Sequence, residues 1–268
     1  MAIPTRADGP VTAAMHGDHV AIATLNRPAR LNALDGATLE ALAAIATDVA
    51  ADAATCVLII TSATPRAFCA GADLAWLGAA EDDAARAGRA ALGHATMDAI
   101  AACPTLVIAA VEGLALGGGC ELALACDLRI ASTTAKFGQP EVALGLFPGW
   151  GGTQRLTRLV GPAVATEMIL SGATIDAERA LSVGLASRVE DAGQALEAAI
   201  ELATHVSSRP KSALIAAKAL IRDGYTLPLD AALARERDAF AAALGTPDAR
   251  EGIDAFLSKR APRFPARP

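Results

Sequence analysis

Two glutamates, Glu121 and Glu141, are the residues of this sequence best suited to acid–base chemistry. Glu121 precedes an apolar run, LALA, and Glu141 follows Pro140, twenty positions later. The strand-like segment between them, DLRIAST, could carry the chain out and back, so that both carboxylates reach one pocket. Paired carboxylates suit general acid–base catalysis, because burial and mutual repulsion move their pKa values apart. Taken singly, each also fits a structural role, Glu121 beside a helix dipole and Glu141 on the surface, and spacing alone leaves these alternatives open.

Two loops poor in side chains accompany these glutamates: residues 68–73 (FCAGAD) and residues 116–119 (LGGG). Each follows a predicted buried strand, and ligands gather at the carboxyl ends of parallel strands. The loops could aim two backbone N–H groups at one developing negative oxygen, with help from the N-terminus of the helix that carries Glu121. The glycines would then let main chain face the reacting atom; tight packing of strand on helix is the alternative. The phosphate-loop, dinucleotide and serine-hydrolase glycine patterns are absent from the sequence.

Hydrophobic patterning predicts the elements that must position these residues. The predicted strands are residues 11–15, 20–25, 56–61 and 104–111, with a hairpin turn at residues 16–18, and the predicted helices are residues 36–54 and 81–102. Their alternation predicts an α/β core with right-handed crossovers. Beyond residue 161 the pattern becomes helical: helices begin at Asp176, Pro210 and Thr246-Pro247, and residues 183–189 are strand-like. A helical C-terminal third beside such a core suggests an oligomerisation layer.

Composition limits the classes of function. The chain has 268 residues, of which 53% are apolar and 19% charged, so a large core is expected. A net charge of −6 disfavours nucleic acid as a partner, although a few local cations could still hold a small anion. Five cysteines without a CxxC pair, and only four histidines, predict neither disulfides nor a metal site. The first residues, MAIPTRADGP, lack the features of a signal peptide and no apolar run reaches ~18 residues, so we expect a cytoplasmic protein that does not bind a membrane.

Several long motifs, taken together, resemble the enoyl-CoA hydratase/isomerase (crotonase) family. They occur in the order expected of that family and cover nearly the whole chain: LNRPARLNAL at 25–34, AFCAGADL at 67–74, AAVEGLALGGGCELALACDLRIAS at 109–132, AKFGQPEVALGLFPGWGGTQRLTRLVG at 135–161 and EGIDAFLSKR at 251–260. The resemblance implies an α/β spiral of ββα turns with a helical C-terminal region. It also implies homotrimers, which often pair into hexamers. We therefore predict a spiral core over residues 1–195 and a trimerisation region over residues 196–268.

The resemblance also implies a reaction and roles for site residues. In the family, an acyl-CoA thioester carbonyl lies between two backbone N–H donors, and the matching positions are Ala72 and Gly118. Hydratases of the family carry two glutamates, matched here by Glu121 and Glu141, whereas isomerases usually keep only the second. The expected reaction is syn addition of water across a trans-2-enoyl-CoA, as in fatty acid β-oxidation, to give a 3-hydroxyacyl-CoA. Coenzyme A is part of the substrate, and neither a metal nor another cofactor is expected.

Further residues are candidates for binding the substrate. The family uses main chain around residues 29–31 and 70–74 to hold the CoA moiety. Arg30 and Arg66 are candidate phosphate partners, and Lys259 with Phe240 could reach the CoA of a neighbouring subunit; ordinary surface positions are the alternative for each. Trp150 stands where many hydratases carry a small residue, and it either shapes the acyl pocket or packs under the turn. The substrate-binding candidates are Ala29, Arg30, Leu31, Arg66, Ala70, Asp73, Leu74, Phe240 and Lys259.

Three other functions stay open at this stage. One is a Δ3,Δ2-enoyl-CoA isomerase, and another is a hydratase of a branched or biosynthetic acyl-CoA. The third, of a different class, is a non-catalytic member of the fold that binds acyl-CoA or RNA. The acidic net charge disfavours RNA, and the two retained glutamates disfavour an inactive enzyme.

Overall fold

The computed structural model describes residues 5–264. Its strands are β1 (Val11–His16), β2 (Val20–Leu25), β3 (Val57–Ser62), β4 (Ala67–Cys69), β5 (Leu106–Val111), β6 (Leu114–Leu116), β7 (Leu128–Ser132), β8 (Lys136–Gly138), β9 (Thr174–Asp176) and β10 (Arg188–Glu190). Its helices are α1 (Gly36–Ala51), α2 (Leu74–Gly78), α3 (Asp83–Ala102), α4 (Gly118–Ala125), α5 (Gly152–Val160), α6 (Pro162–Ser171), α7 (Ala177–Ser182), α8 (Ala195–Ser207), α9 (Lys211–Gly224), α10 (Leu229–Leu244) and α11 (Pro247–Leu257). Short 3₁₀-helices span Pro28–Arg30 and Pro140–Leu144.

The strands form two sheets through a repeated ββα turn. One sheet has the order β1-β2-β3-β5-β7-β10 and the other has the order β4-β6-β8-β9. Each of the pairs β3/β4, β5/β6 and β7/β8 gives its first strand to the first sheet and its second strand to the other, and helical structure follows. The β3, β5 and β7 strands pair in parallel, as do β4, β6 and β8. The predicted α/β spiral of ββα turns with a helical C-terminal region is therefore confirmed.

Strand β3 shows why its sequence is apolar on both faces. Leu58 and Ile60 join the main core cluster, into which α1 and α3 pack. Val57 and Ile59 face the other way, towards α8, whose small buried side chains are Ala195, Ala199 and Ala203. A strand covered on both faces needs apolar residues at every position, which is why the run CVLIIT carries no alternating pattern. Helix α8 thus packs on the first sheet, although the predicted division at residue 195 assigns it to the C-terminal region.

Several predicted boundaries differ from those observed. Helix α1 ends at Ala51 rather than at residue 54, because the Asp52 carboxylate accepts hydrogen bonds from the backbone and hydroxyl of Thr55, at 3.0 and 2.7 Å, and turns the chain. Pro210 caps α9 from outside instead of occupying its first position. The strand-like segment at 183–189 shrinks to β10. The hairpin of β1 and β2 and the Thr246-Pro247 start of α11 are confirmed.

Candidate active site

Backbone hydrogen bonds join the segments 29–34 and 70–74, which contain residues predicted to bind the CoA moiety. Ala70 donates from its backbone N–H to the Leu31 carbonyl at 3.0 Å, and Leu34 donates to the Gly71 carbonyl at 2.8 Å. Asp73 completes the ladder by donating to the Leu34 carbonyl, also at 2.8 Å. This short parallel ladder brings the segments 29–34 and 70–74 into one wall at the carboxyl end of β4.

Arg27 holds this wall together, a role that its local sequence does not indicate. Its guanidinium lies 3.0 Å from the carboxylate of Asp35 and 3.0 Å from that of Asp73. Burial has the largest single effect on the pKa of Asp73 and would raise it, but the hydrogen bond and charge of Arg27, together with the backbone N–H groups of Trp76 and Ala75, outweigh burial and hold the pKa below its usual value. The only trace of this role in the sequence is that Arg27 lies in the motif LNRPARLN, directly before Pro28. A cation at such a position is ordinarily interpreted as a solvated surface charge.

The amide groups of Ala72 and Gly118 lie side by side. A Cβ added to Gly118 would stand 3.3 Å from the amide nitrogen of Ala72, and one added to Gly71 would stand 3.7 Å from that of Gly118. No acceptor among residues 5–264 takes a hydrogen bond from either amide. Gly118 begins α4, so its N–H points out of the helix at the positive end of the dipole.

The run of three glycines has a steric cause. Gly117 has a positive φ of 50°, which disfavours residues with a side chain. A Cβ at Gly119 would overlap the backbone of Cys69, and a Cβ at Gly118 would come within 2.6 Å of the Trp150 ring. Close packing of the chain is therefore one reason for the glycines, and the presentation of main-chain donors to a reacting oxygen stays a prediction.

Glu121 is buried in the first turn of α4, with only 2% of its surface exposed. Its Oε1 accepts hydrogen bonds from the backbone N–H groups of Trp150 and Gly152, both at 2.7 Å. Burial raises the pKa of Glu121 to about 7, against the lowering effect of these two bonds, and the charge of Glu141 adds to the rise. No hydrogen bond from residues 5–264 reaches Oε2, so that oxygen is available to substrate or water.

An arginine holds the segment that grips Glu121. Arg155 donates to the Trp150 carbonyl at 2.9 Å and to the Asp98 carboxylate at 2.6 Å. Its charge also lowers the pKa of Glu121, although less than the two backbone bonds do. Both backbone groups of Trp150 are thus held. Its carbonyl is connected to α3 through Arg155, and its N–H is bonded to Glu121.

Glu141 enters the same site from the 3₁₀-helix Pro140–Leu144. A Cβ at Gly117 would lie 3.0 Å from its Oε1. In the amide orientation that satisfies both groups, the buried Gln139 donates from Nε2 to the two oxygens of Glu141 at 3.0 and 3.3 Å. Burial raises the pKa of Glu141. The sequence contains no signal for Gln139, a single amide between Gly138 and Pro140.

The four groups predicted for the site, which are the amides of Ala72 and Gly118 and the carboxylates of Glu121 and Glu141, are connected through neighbouring residues. Ala72 neighbours Gly118, and Gly117 neighbours Glu141. Glu141 neighbours Gln139, and the other end of the Gln139 amide, which in this orientation is its oxygen, would lie 2.6 Å from a Cβ at Gly152, with Glu121 Oε1 3.0 Å from the same point. The two free amide donors and the two carboxylates of raised pKa are thus linked through neighbouring residues in one part of the structure. This arrangement can polarise a carbonyl while one carboxyl group accepts a proton and the other donates one.

The remaining candidates lie at varied distances from these four groups. Arg30 is exposed beside the 31–34 ladder, whereas Arg66 is exposed before β4, at the strand end opposite Ala72. Phe240 is 64% exposed on α10, and Lys259 follows α11.

No group of three or more His, Cys, Asp or Glu among residues 5–264 could hold a metal ion. Within the same residues, no helix combines the length and apolar character needed to cross a bilayer.

Comparison with known proteins gives consistent matches. The family described as enoyl-CoA hydratase/isomerase matches residues 16–267. A crotonyl-CoA hydratase of Syntrophomonas wolfei is 42% identical over 92% of this chain and 95% of that protein. A short-chain-enoyl-CoA hydratase of Clostridium acetobutylicum is 40% identical over 90% of this chain and 92% of that protein. The crystal structure of an enoyl-CoA hydratase from Bacillus anthracis superposes with a TM-score of 0.92 at 38% identity, covering 96% of this chain and 100% of that one.

Proposed function

The chain belongs to the enoyl-CoA hydratase/isomerase family and is an enoyl-CoA hydratase, and we propose that Glu121 and Glu141 perform the hydration. The observation that supports these roles is the convergence of two raised-pKa carboxylates on the two free amides of Ala72 and Gly118. Isomerases of this fold need one such carboxylate, whereas this site holds two. The chain therefore carries a complete acid–base pair for adding water.

The amides of Ala72 and Gly118 bind the thioester oxygen in this proposal. Attack of water at C3 of the conjugated thioester moves electrons towards the carbonyl and builds enolate charge on its oxygen. Two main-chain donors and the N-terminus of α4 stabilise that charge. One such donor is typically worth ~3 to 4 kcal/mol of transition-state stabilisation.

The two glutamates then divide the proton transfers. Glu121 begins ionised, holds the water through Oε2, and accepts its proton as the oxygen bonds to C3. Glu141 begins protonated and delivers its proton to C2, on the same face of the double bond. Burial favours the protonated form of Glu141 at the start of the cycle. Gln139 can serve both states, since an amide donates to a carboxylate and accepts from a carboxylic acid. Passage of a proton from Glu121 to Glu141 restores the enzyme.

The 29–34 and 70–74 wall is the proposed binding surface for coenzyme A. Main-chain groups of Ala29, Leu31, Ala70 and Leu74 would hold the pantetheine and adenine, with Asp73 kept in place by Arg27. Of the two phosphate candidates, Arg30 has the better support because it adjoins the ladder, while Arg66 lies at the far end of β4. Water addition involves no net oxidation or reduction, so the proposal requires no cofactor beyond the CoA of the substrate.

The exposed apolar side chains of the C-terminal helices support an oligomer. Helices α9 and α10 contain no buried residue, yet large apolar side chains are exposed on them and on the segment that joins them: Ile221, Tyr225, Leu229, Leu233, Phe240 and Leu244. A surface of this kind is typical of an interface between subunits. We therefore propose a homotrimer or a hexamer of two trimers, in which Phe240 and Lys259 approach a neighbour's CoA. A cytoplasmic place in fatty acid β-oxidation is part of the same proposal.

The test of this function is hydration of crotonyl-CoA, followed as loss of the absorbance of the conjugated thioester. The expected product is 3-hydroxybutyryl-CoA. Glu121→Gln and Glu141→Gln should each lower kcat by at least ~10²-fold. Failure to hydrate any trans-2-enoyl-CoA from C4 to C16 would overturn the proposal. Turnover that neither substitution slowed would overturn the assignment of roles.

A further inference from the structure

The indole of Trp150 fills the space between helix α3 and the amide of Gly118. The side chain is only 5% exposed and belongs to the main core cluster. A Cβ at Gly118 would lie 2.6 Å from Cζ3 of the ring, and a Cβ at Gly93, on α3, would overlap the Nε1 edge. Glycine at both positions lets the ring lie flat against two backbones.

This position places the ring beside the reacting atoms. The N–H of Trp150 is bonded to Glu121 at 2.7 Å, and its ring touches the glycine that supplies the second oxyanion donor. An acyl chain bound as proposed has its carbonyl at Gly118 and its C3 beside Glu121. In this pose the carbons beyond C3 extend past Glu121 towards Trp150, the residue whose N–H holds Glu121 Oε1.

The backbone that carries the indole is fixed. Arg155 fastens the Trp150 carbonyl to Asp98 on α3, at 2.9 and 2.6 Å. Four residues before Gly93 on α3, Arg89 donates to the carbonyls of Trp76 and Leu77 and stacks 5.2 Å from the Trp76 ring. Helix α3, against which the indole packs at Gly93, is thus tied both to the Trp150 backbone and to α2.

We propose that Trp150, seated on Gly93, closes the acyl pocket a few carbons beyond C3 and makes the enzyme selective for short-chain enoyl-CoA thioesters. This inference rests on the proposed function, because it assumes that the thioester binds at Ala72 and Gly118. In a hydrophobic pocket, one methylene that fits or fails to fit changes kcat/KM by about 10- to 200-fold. A blocked tail of several carbons is therefore a strong determinant of specificity.

The test compares kcat/KM for trans-2-enoyl-CoA of C4 and C10 in wild type, Trp150→Ala and Trp150→Leu. We expect wild type to favour C4, and both variants to raise the C10/C4 ratio at least tenfold, mainly through KM for C10. The leucine variant keeps an apolar filler if the alanine variant folds poorly. Both substitutions retain the backbone N–H that holds Glu121. Ile100→Val, in the buried face of α3 two turns away, is the control and should leave the ratio unchanged.

The outcomes separate this inference from the function it rests on. Wild type that hydrates C4 and C10 equally well, with a ratio that neither variant changes, overturns the inference and leaves the hydratase intact. Variants that lose activity on both substrates in proportion also overturn it, because a purely structural tryptophan would behave in this way. Wild type that hydrates neither C4 nor C10 but hydrates other lengths overturns the size limit alone. Inactivity on every chain length overturns the proposed function itself.

Discussion

Replacing Glu121 by glutamine should make the protein more stable at alkaline pH while disabling it. The carboxylate is 2% exposed, and burial raises its pKa from 4.5 to about 7. Glutamine keeps an oxygen for the N–H groups of Trp150 and Gly152 but removes the charge that burial penalises. An ionisable group in this setting costs stability whenever it is charged.

The magnitude follows from the pKa shift. A folded-state pKa above the unfolded value gives stability that is fully present below pH 4.5 and lost as pH rises through about 7. With each pKa unit equal to about 1.4 kcal/mol, wild type should lose about 2.5 kcal/mol from this group between pH 5 and pH 8.5. Glu121→Gln should not lose it, so its unfolding free energy relative to wild type should rise by that amount.

Urea unfolding of both proteins at pH 5 and pH 8.5 measures this difference. Glu40→Gln, on the exposed face of α1, is the matched control and should give a difference from wild type that changes little with pH. A Glu121→Gln difference that is equally independent of pH would refute the reasoning. In that case Glu121 would titrate in the native protein as it does in the unfolded chain.

Three further predictions concern activity. First, kcat/KM for crotonyl-CoA should rise with pH through about 7 as Glu121 ionises. Arg155→Met should move this rise to higher pH, because the charge of Arg155 lowers the pKa of Glu121. A rise that stays at the same pH in the variant would show that a group other than Glu121 causes it. Second, Gly118→Ala should lower kcat/KM at least ~10²-fold, since its Cβ crowds the oxyanion site. Gly88→Ala, with open space around it in α3, should keep activity and gain ~0.5–1 kcal/mol of stability; equal losses would contradict the steric argument. Third, Arg27→Met should raise KM for crotonyl-CoA about tenfold with a smaller effect on kcat, because it loosens the CoA wall; a loss confined to kcat would contradict that role.

The fold was largely predictable because its signals are local or repeat in a regular order. The apolar run of β3 predicted a buried strand, and the glycines at the start of α4 predicted a close approach of main chain; the strand is buried, and the glycines pack against the backbone of Cys69 and the ring of Trp150. Helix ends were less predictable, since the end of α1 depends on one Asp52–Thr55 turn. The family motifs supplied the spiral order of the turns, which periodicity alone does not give.

The site was only partly predictable. Sequence spacing could suggest that Glu121 and Glu141 share a pocket, but which oxygen is held and which is left available depends on backbone N–H groups near residue 150. Arg27 and Gln139 escaped notice because their roles come from partners at a distance in the chain or from an amide orientation. The contact of Trp150 with Gly93 joins residues 57 positions apart, and nothing in either local sequence indicates it.

A crystal structure of the assembled protein with 3-hydroxybutyryl-CoA tests the central claim most directly. The measured quantities are the distances from the thioester oxygen to the amide nitrogens of Ala72 and Gly118, and from the 3-hydroxyl to the two glutamates. We predict both amide distances at about 2.7–3.1 Å, with the hydroxyl between Glu121 Oε2 and Glu141. A thioester oxygen held by other groups, with the carboxylates facing away from C2 and C3, would contradict the account.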